Sequence, residues 1–288
     1  MTITNIENSP FSVKIKKSHF MLPIFFAILI SAIFAQITLV AEPIRNSTSL
    51  FEGIEKVFAA FNILIIALVS ITGFFLFLHF FKRKRELALR VLIAAFILGG
   101  VLSTLLFGKL VFTFLGLASP LMLLIVAIVT YSGAYFAYLV LVNALSKRTK
   151  NLLFVFCSGA LGSFLGVLTP PVMAVGISLF LSVLDLVLIE RKIVENMVGE
   201  ETYENLLIEV TFSHTGWGVG IGDLTCYSIV VSNALVNFGI LAGTLSLILI
   251  LIGVLLTLSI SIQKARRPGL PIATALGVMP SIIFMFLL

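Results

Sequence analysis

Charge is scarce in this chain: 11% of its 288 residues are Asp, Glu, Lys or Arg, where soluble domains carry about 25%. A water-soluble fold must cover itself with polar groups, so a chain that is 60% hydrophobic needs lipid as its solvent. Two cysteines are too few for a disulfide scaffold, and 26 phenylalanines are too many for a disordered chain. The net charge of +6 comes from 19 basic residues dispersed between long apolar runs, which argues against a nucleic-acid surface. Three histidines without a Cys, Asp or second His at ligand spacing argue against a metal centre. No phosphate loop, Ser–His pair or dinucleotide fingerprint occurs in context, so no cofactor is expected. Cys157 and Cys226 fall inside apolar runs and read as small buried side chains.

What the chain has instead is length of apolar run. A bilayer core of about 30 Å takes about 20 helical residues to cross. Nine stretches qualify, at 20–41, 55–81, 91–108, 119–145, 151–169, 171–190, 213–235, 238–262 and 269–288. Residues 109–118 either extend the third helix or lie at the interface, and Pro170-Pro171 marks a tight turn between the fifth and sixth. The first stretch follows basic residues but is too long for a signal-peptide core and reads as a retained helix. The fold class expected is therefore all-α, a polytopic membrane protein of nine transmembrane helices.

The basic residues orient these helices. With a cytoplasmic N-terminus, sixteen of the nineteen fall in inside segments, leaving Arg45, Lys56 and Lys109 on the other face. Nine spans with the N-terminus in and the C-terminus out satisfy every inside loop, whereas eight spans would put basic loops on the wrong side. No linker divides the chain, so residues 1–288 form one membrane domain. Helices one to six occupy about 20–190, a cytoplasmic connection 191–212, and helices seven to nine about 213–288. The connection alternates glutamates with apolar residues and reads as an amphipathic interfacial stretch.

Of the acidic residues, eleven are Glu, and these keep to tails, loops and span ends; only two are Asp. Asp185 and Asp223 both lie inside spans. A carboxylate near mid-membrane costs about 2.5–3.5 kcal/mol on insertion scales, so such residues face protein or water and are functional candidates. Read along helices at about 1.5 Å per residue, Asp185 lies about 9 Å before Arg191 and Asp223 about 13 Å beyond His214. Carboxylates at similar depth on consecutive antiparallel spans can meet. Like charges a few ångströms apart in low dielectric cannot both ionise, so the pair is expected to share one proton near neutral pH. That state suits aspartyl-protease chemistry, in which the ionised partner takes a proton from attacking water and the protonated one donates to the carbonyl oxygen.

Glycine occupies positions 216, 218, 220 and 222 ahead of Asp223. In a helix each costs about 1 kcal/mol relative to Ala, so they imply either a loosened backbone at a site or close helix packing. At the start of the last span, Pro268-Gly269-Leu270-Pro271 is expected to leave an extended segment with unpaired carbonyls.

Together these residues resemble the presenilin and signal-peptide-peptidase family of intramembrane aspartyl proteases, over essentially the whole nine-span layout. Gly220-Ile221-Gly222-Asp223 is similar to the family's GxGD on the seventh helix. Asp185 falls at its YD position on the sixth and Pro268-Gly269-Leu270-Pro271 at its PAL position before the ninth. The sequence departs from the pattern where Leu184 replaces the Tyr and Gly269 the Ala. The resemblance implies an endopeptidase with Asp185 and Asp223 catalytic and the GxGD and PAL residues supporting them. It also implies transmembrane or signal-peptide substrates, a mobile connection at 192–212, and a substrate strand docked near 268–271. Compact loops favour a prokaryotic cell membrane, archaeal included.

Three other readings stay open on the residues alone. A proton- or cation-coupled transporter would use the same intramembrane carboxylates, but with internally related halves that the sequence does not display. A prepilin-type peptidase also carries GxGD, but usually with a Lys after it, where Leu224 stands here. A catalytically silent member would have little need of both aspartates.

Overall fold

The computed structural model describes residues 17–40, 85–116, 119–190, 211–214, 217–261 and 270–287. These form α1 (Lys17–Val40), α2 (Arg85–Phe114), α3 (Ser119–Leu141), α4 (Lys147–Leu168), α5 (Pro171–Glu190), β1 (Thr211–His214), β2 (Trp217–Gly220), α6 (Ile221–Ser261) and α7 (Leu270–Leu287). Six of the helices are long and apolar enough to cross a membrane, and α5 contributes a shorter apolar segment at Pro171–Val187. Large side chains such as Leu102, Leu123, Leu152 and Phe286 stand on the outside of the bundle, as a lipid solvent allows. The chain is a multi-pass membrane protein.

Helix occupies eight of the nine expected stretches, and the second, 55–81, lies outside the described residues. Residues 109–114 extend the third-span helix. Ser146 caps α4 by accepting from the Thr149 N–H at 3.3 Å. Thr169 closes it, and Pro171 opens α5 at a position where its missing N–H costs nothing.

One expectation for the seventh span needs correction: it does not begin as helix at 213. Residues 211–214 and 217–220 form an antiparallel two-stranded sheet, with Thr211 opposite Gly220 and His214 opposite Trp217, so the fold is not purely helical. Trp217-Gly218-Val219-Gly220 alternates large and small with period two, which is a strand pattern rather than a helical one. The expected break between spans seven and eight falls at Gly239, where φ is 86°, a backbone region that favours glycine. The chain reverses there. A Cβ on Gly243 would come within 2.8 Å of the Leu235 Cβ, whereas eight residues of straight helix span about 12 Å. The two limbs of α6 are therefore antiparallel neighbours, and both pack on α7, where Gly253 and Gly277 meet Ala273 and Ile250 respectively.

Small residues hold the centre together. On α4, a Cβ at Gly159 would meet the Ala27 carbonyl of α1 at 2.6 Å, and one at Gly162 the Thr225 carbonyl of α6 at 2.7 Å. This close approach brings hydroxyls to neighbouring backbones, the usual adhesive between membrane helices. Ser31 donates to the Ser228 carbonyl at 2.8 Å, and Ser163 donates to the Ser31 carbonyl at 3.1 Å. Asn233 donates to the carbonyls of Gly166 and Thr169 at 2.8 and 2.7 Å, fixing the end of α4 to α6. Around this seam lie Ile24, Ile28, Leu224, Tyr227, Val231 and Ile250, all buried. Replacing Asn233 with Ala should destabilise the protein by about 1–2 kcal/mol, measured by reversible unfolding in mixed micelles, because two buried carbonyls lose their donor at once.

Candidate active site

The seam between α4 and α6 fixes where Asp223 stands. Gly220 ends β2 and precedes the first residue of α6, so Asp223 occupies the third helical position. From there its carboxylate reaches back to accept from the Gly220 N–H. This is half of a capping box: an acidic side chain one turn in satisfies a backbone donor at the helix start. The same first turn is tied from outside. The Ile221 carbonyl accepts from Thr225 Oγ1 at 2.8 Å and from Ser158 Oγ of α4 at 3.5 Å. Asp223 is half-buried in the first turn of α6.

Of the glycines before Asp223, Gly216 lies outside the described residues, and Gly220 and Gly222 are not packing contacts. A Cβ at Gly222 would meet nothing within 4 Å, and one at Gly220 would meet only the Asp223 carboxyl itself, at 3.5 Å. Neither do they loosen a helix: Gly218 and Gly220 belong to β2, and Gly222, exposed, lies in the first turn of α6. Close packing is done by Gly159, Gly162 and Gly166 of α4 instead. The depth argument for Asp223 changes accordingly, because the residues from His214 to Gly220 form a hairpin and not a climb along a helix.

Asp185 comes from α5, half-buried, beside the half-buried Leu184. One of its carboxylate oxygens, Oδ2, is buried without a protein partner. The other partner on offer is backbone: the Leu270 N–H, at the start of α7, donates to this carboxylate. The first N–H groups of a helix have no partner within it, and the helix dipole there favours negative charge. Leu270 and Pro271 therefore do not form an extended segment; they are the opening residues of α7, with Leu270 buried. Pro268 and Gly269 lie outside the described residues, as does nearly all of 192–212.

Asp185 and Asp223 lie close enough to interact electrostatically. Of the residues singled out from sequence, Asp185, Gly220, Asp223 and Leu270 thus come together where α5, α6 and α7 meet, while Ile221 packs toward α2 and α4 and Gly222 is exposed. A proline at 270 removes the donor to Asp185. Leu270→Pro should lower turnover about 10- to 100-fold, the worth of a hydrogen bond to a charged group, with the change in kcat and bundle stability checked by thermal unfolding.

No family model and no curated protein matches this sequence. Solved structures do. One, a presenilin family intramembrane aspartate protease in a C222 crystal form, aligns with TM-score 0.60 at 16% identity, over 94% of this chain and 99% of that one. A presenilin family intramembrane aspartate protease in a P2 crystal form aligns with TM-score 0.59 at 17% identity, over 93% and 98%. The chain has the presenilin-protease fold.

Within the presenilin-protease fold, residues the sequence reading passed over also line this region. Ser178, Ser182 and Asp185 recur at i, i+4 and i+7 on α5, a polar stripe on an otherwise apolar helix. Cys226 stands one turn beyond Asp223 on α6, flanked by the hydroxyls of Ser178 and Thr274. The helical spacing of the stripe was present in the sequence; its juxtaposition with Cys226 and Thr274 was not.

Proposed function

We propose that this protein is an intramembrane aspartyl endopeptidase, with Asp185 and Asp223 as its catalytic dyad and transmembrane or signal-peptide helices as substrates. The observation that carries the reading is that the only two aspartates in the sequence lie within electrostatic reach of each other where α5, α6 and α7 pack together. Each has one backbone donor, from Leu270 and from Gly220. The overall fold, like that of presenilin-family proteases, supports it.

The chemistry follows from two carboxyl groups sharing one proton. The ionised carboxylate accepts a proton from water while the water oxygen bonds to the scissile carbonyl carbon. The protonated carboxyl donates to the carbonyl oxygen, giving a tetrahedral diol. Transfer of a proton to the amide nitrogen then breaks the C–N bond, and the products are a free acid and a free amine. The two backbone donors hold the carboxylates in place through both steps without themselves titrating.

A helical substrate shields its peptide bonds with its own hydrogen bonds, so it must be unwound before cleavage. The β1–β2 hairpin leads directly into Asp223 and offers strand edges to an unwound segment, supporting binding by strand addition. Pro268-Gly269-Leu270-Pro271 is the matching position on the α7 side. Nine spans with a cytoplasmic N-terminus, within a single membrane domain in the cell membrane, complete the proposal.

The test is cleavage of labelled single-span substrates by the purified protein in liposomes, with product masses mapped and a transition-state aspartyl-protease inhibitor added. Inhibitor-sensitive cleavage within the span supports the reading. Aspartate-dependent ion flux without cleavage would overturn it in favour of a transporter.

A further inference from the structure

Beyond the aspartates, three helices bring polar side chains to one place that the chemistry above does not use. Ser178 of α5 and Thr274 of α7 are both 0% exposed, and neither hydroxyl makes a hydrogen bond of ordinary geometry. The partner within reach of both is the Cys226 thiol of α6, a weak hydrogen-bonding group that leaves the oxygens under-satisfied. Ser182, also buried, lies between Ser178 and Asp185 on the same face of α5, and Asp185 Oδ2 is buried and unpartnered as well. The offsets agree in direction. Thr274 is one turn along α7 from Leu270, Cys226 nearly one turn along α6 from Asp223, and Ser178 about two turns back along α5 from Asp185. All three steps run from the aspartates into the bundle.

Buried polar atoms that lack a protein partner are satisfied by ordered water when several of them converge. We propose that Ser178, Thr274 and Cys226 form a water-binding site behind the aspartates, holding water inside the membrane and supplying it to Asp185. The supply role rests on the protease reading; the site itself does not. Cys157 provides an internal contrast. It is the other buried thiol, and it donates to the Ile97 carbonyl at 3.8 Å among Ile93, Ala94 and Phe154.

The S–H stretch of the full-length protein in liposomes, followed by infrared spectroscopy after transfer to D2O, tests this without requiring proteolysis. Cys157→Ala and Cys226→Ala variants assign the two bands. The expected result is loss of the Cys226 S–H band to S–D while the Cys157 band persists. Persistence of both bands for the same time overturns the site. Ser178→Ala combined with Thr274→Val should slow exchange at Cys226 and lower kcat about tenfold with KM unchanged. Ser178→Thr, which keeps a hydroxyl, should retain both exchange and kcat. Unchanged exchange in the double variant overturns the role of the hydroxyls. Slowed exchange with unchanged kcat overturns the supply role and leaves the water site standing. Rapid Cys226 exchange in a wild-type protein that cleaves nothing upholds the site and refutes the protease reading alone.

Discussion

Asp185→Asn and Asp223→Asn should each lower the rate of substrate cleavage by about 10²–10⁴-fold, the contribution of a positioned general acid or base. Asn is the informative replacement because it preserves shape. Its side-chain oxygen still accepts from the Gly220 N–H at position 223 or the Leu270 N–H at position 185, so the helix starts stay capped. What is lost is the ability to take up or give a proton. The double variant should be no slower than the slower single, since two groups that work as one unit do not contribute additively. Reconstituted protein, a labelled single-span substrate and quantified product masses measure all three rates. Full activity in either single variant would remove the dyad from the mechanism.

The second large effect is expected at the helix seam that holds Asp223 in place. Gly162 and Gly166 of α4 face α6 so closely that a Cβ would meet backbone: the Thr225 carbonyl at 2.7 Å from position 162 and the Ile229 carbonyl at 2.7 Å from position 166. A flexible side-chain tip could move aside; a helix backbone cannot without moving the whole helix. Gly162→Val and Gly166→Val should therefore force α4 and α6 apart. Overpacking of this kind costs about 1–3 kcal/mol. Separation also lengthens the contacts the seam depends on, Ser232 Oγ to the Gly162 carbonyl at 3.4 Å and Asn233 to Gly166 at 2.8 Å. Asp223 and Thr225 lie on the first turns of the same helix, so activity should fall further than stability alone explains. Unfolding midpoints and kcat measured on the same preparations check this. By contrast Gly222→Ala, where a Cβ meets nothing within 4 Å, should leave both stability and fold intact.

The different fates of these glycines show what could be read in advance. The run at 216, 218, 220 and 222 drew attention because it sits beside an intramembrane aspartate, and a helical reading turned it into loosened or tightly packed helix. Its period of two was the better guide: large residues at 217 and 219 alternating with glycine belong to a strand. Among the glycines that do pack closely, 159, 162 and 166 follow helical spacing on α4, but spacing alone does not say which face meets a neighbour. Gly239 is similar. The end of one apolar run near 235 and the start of another at 238 marked a boundary, while the reversal itself depends on a positive φ that many sequences with glycine do not adopt.

The sequence by itself determined the solvent, most of the helical stretches and the two aspartates proposed as the dyad. These follow from local quantities: apolar length against bilayer thickness, and the cost of placing a carboxylate in lipid. Tertiary structure alone decided the rest. It placed the Gly220 and Leu270 N–H groups on the two carboxylates, set Ser178 and Thr274 against Cys226, and chose α4 as the helix that binds α1 to α6. Apart from Gly220 and Asp223, three positions apart, those pairings join residues tens to hundreds of positions apart. In a membrane, where apolar side chains gain little by leaving lipid for one another, they are selected by close approach of small residues and by hydrogen bonds between backbones and hydroxyls, neither of which leaves a periodic trace in one chain.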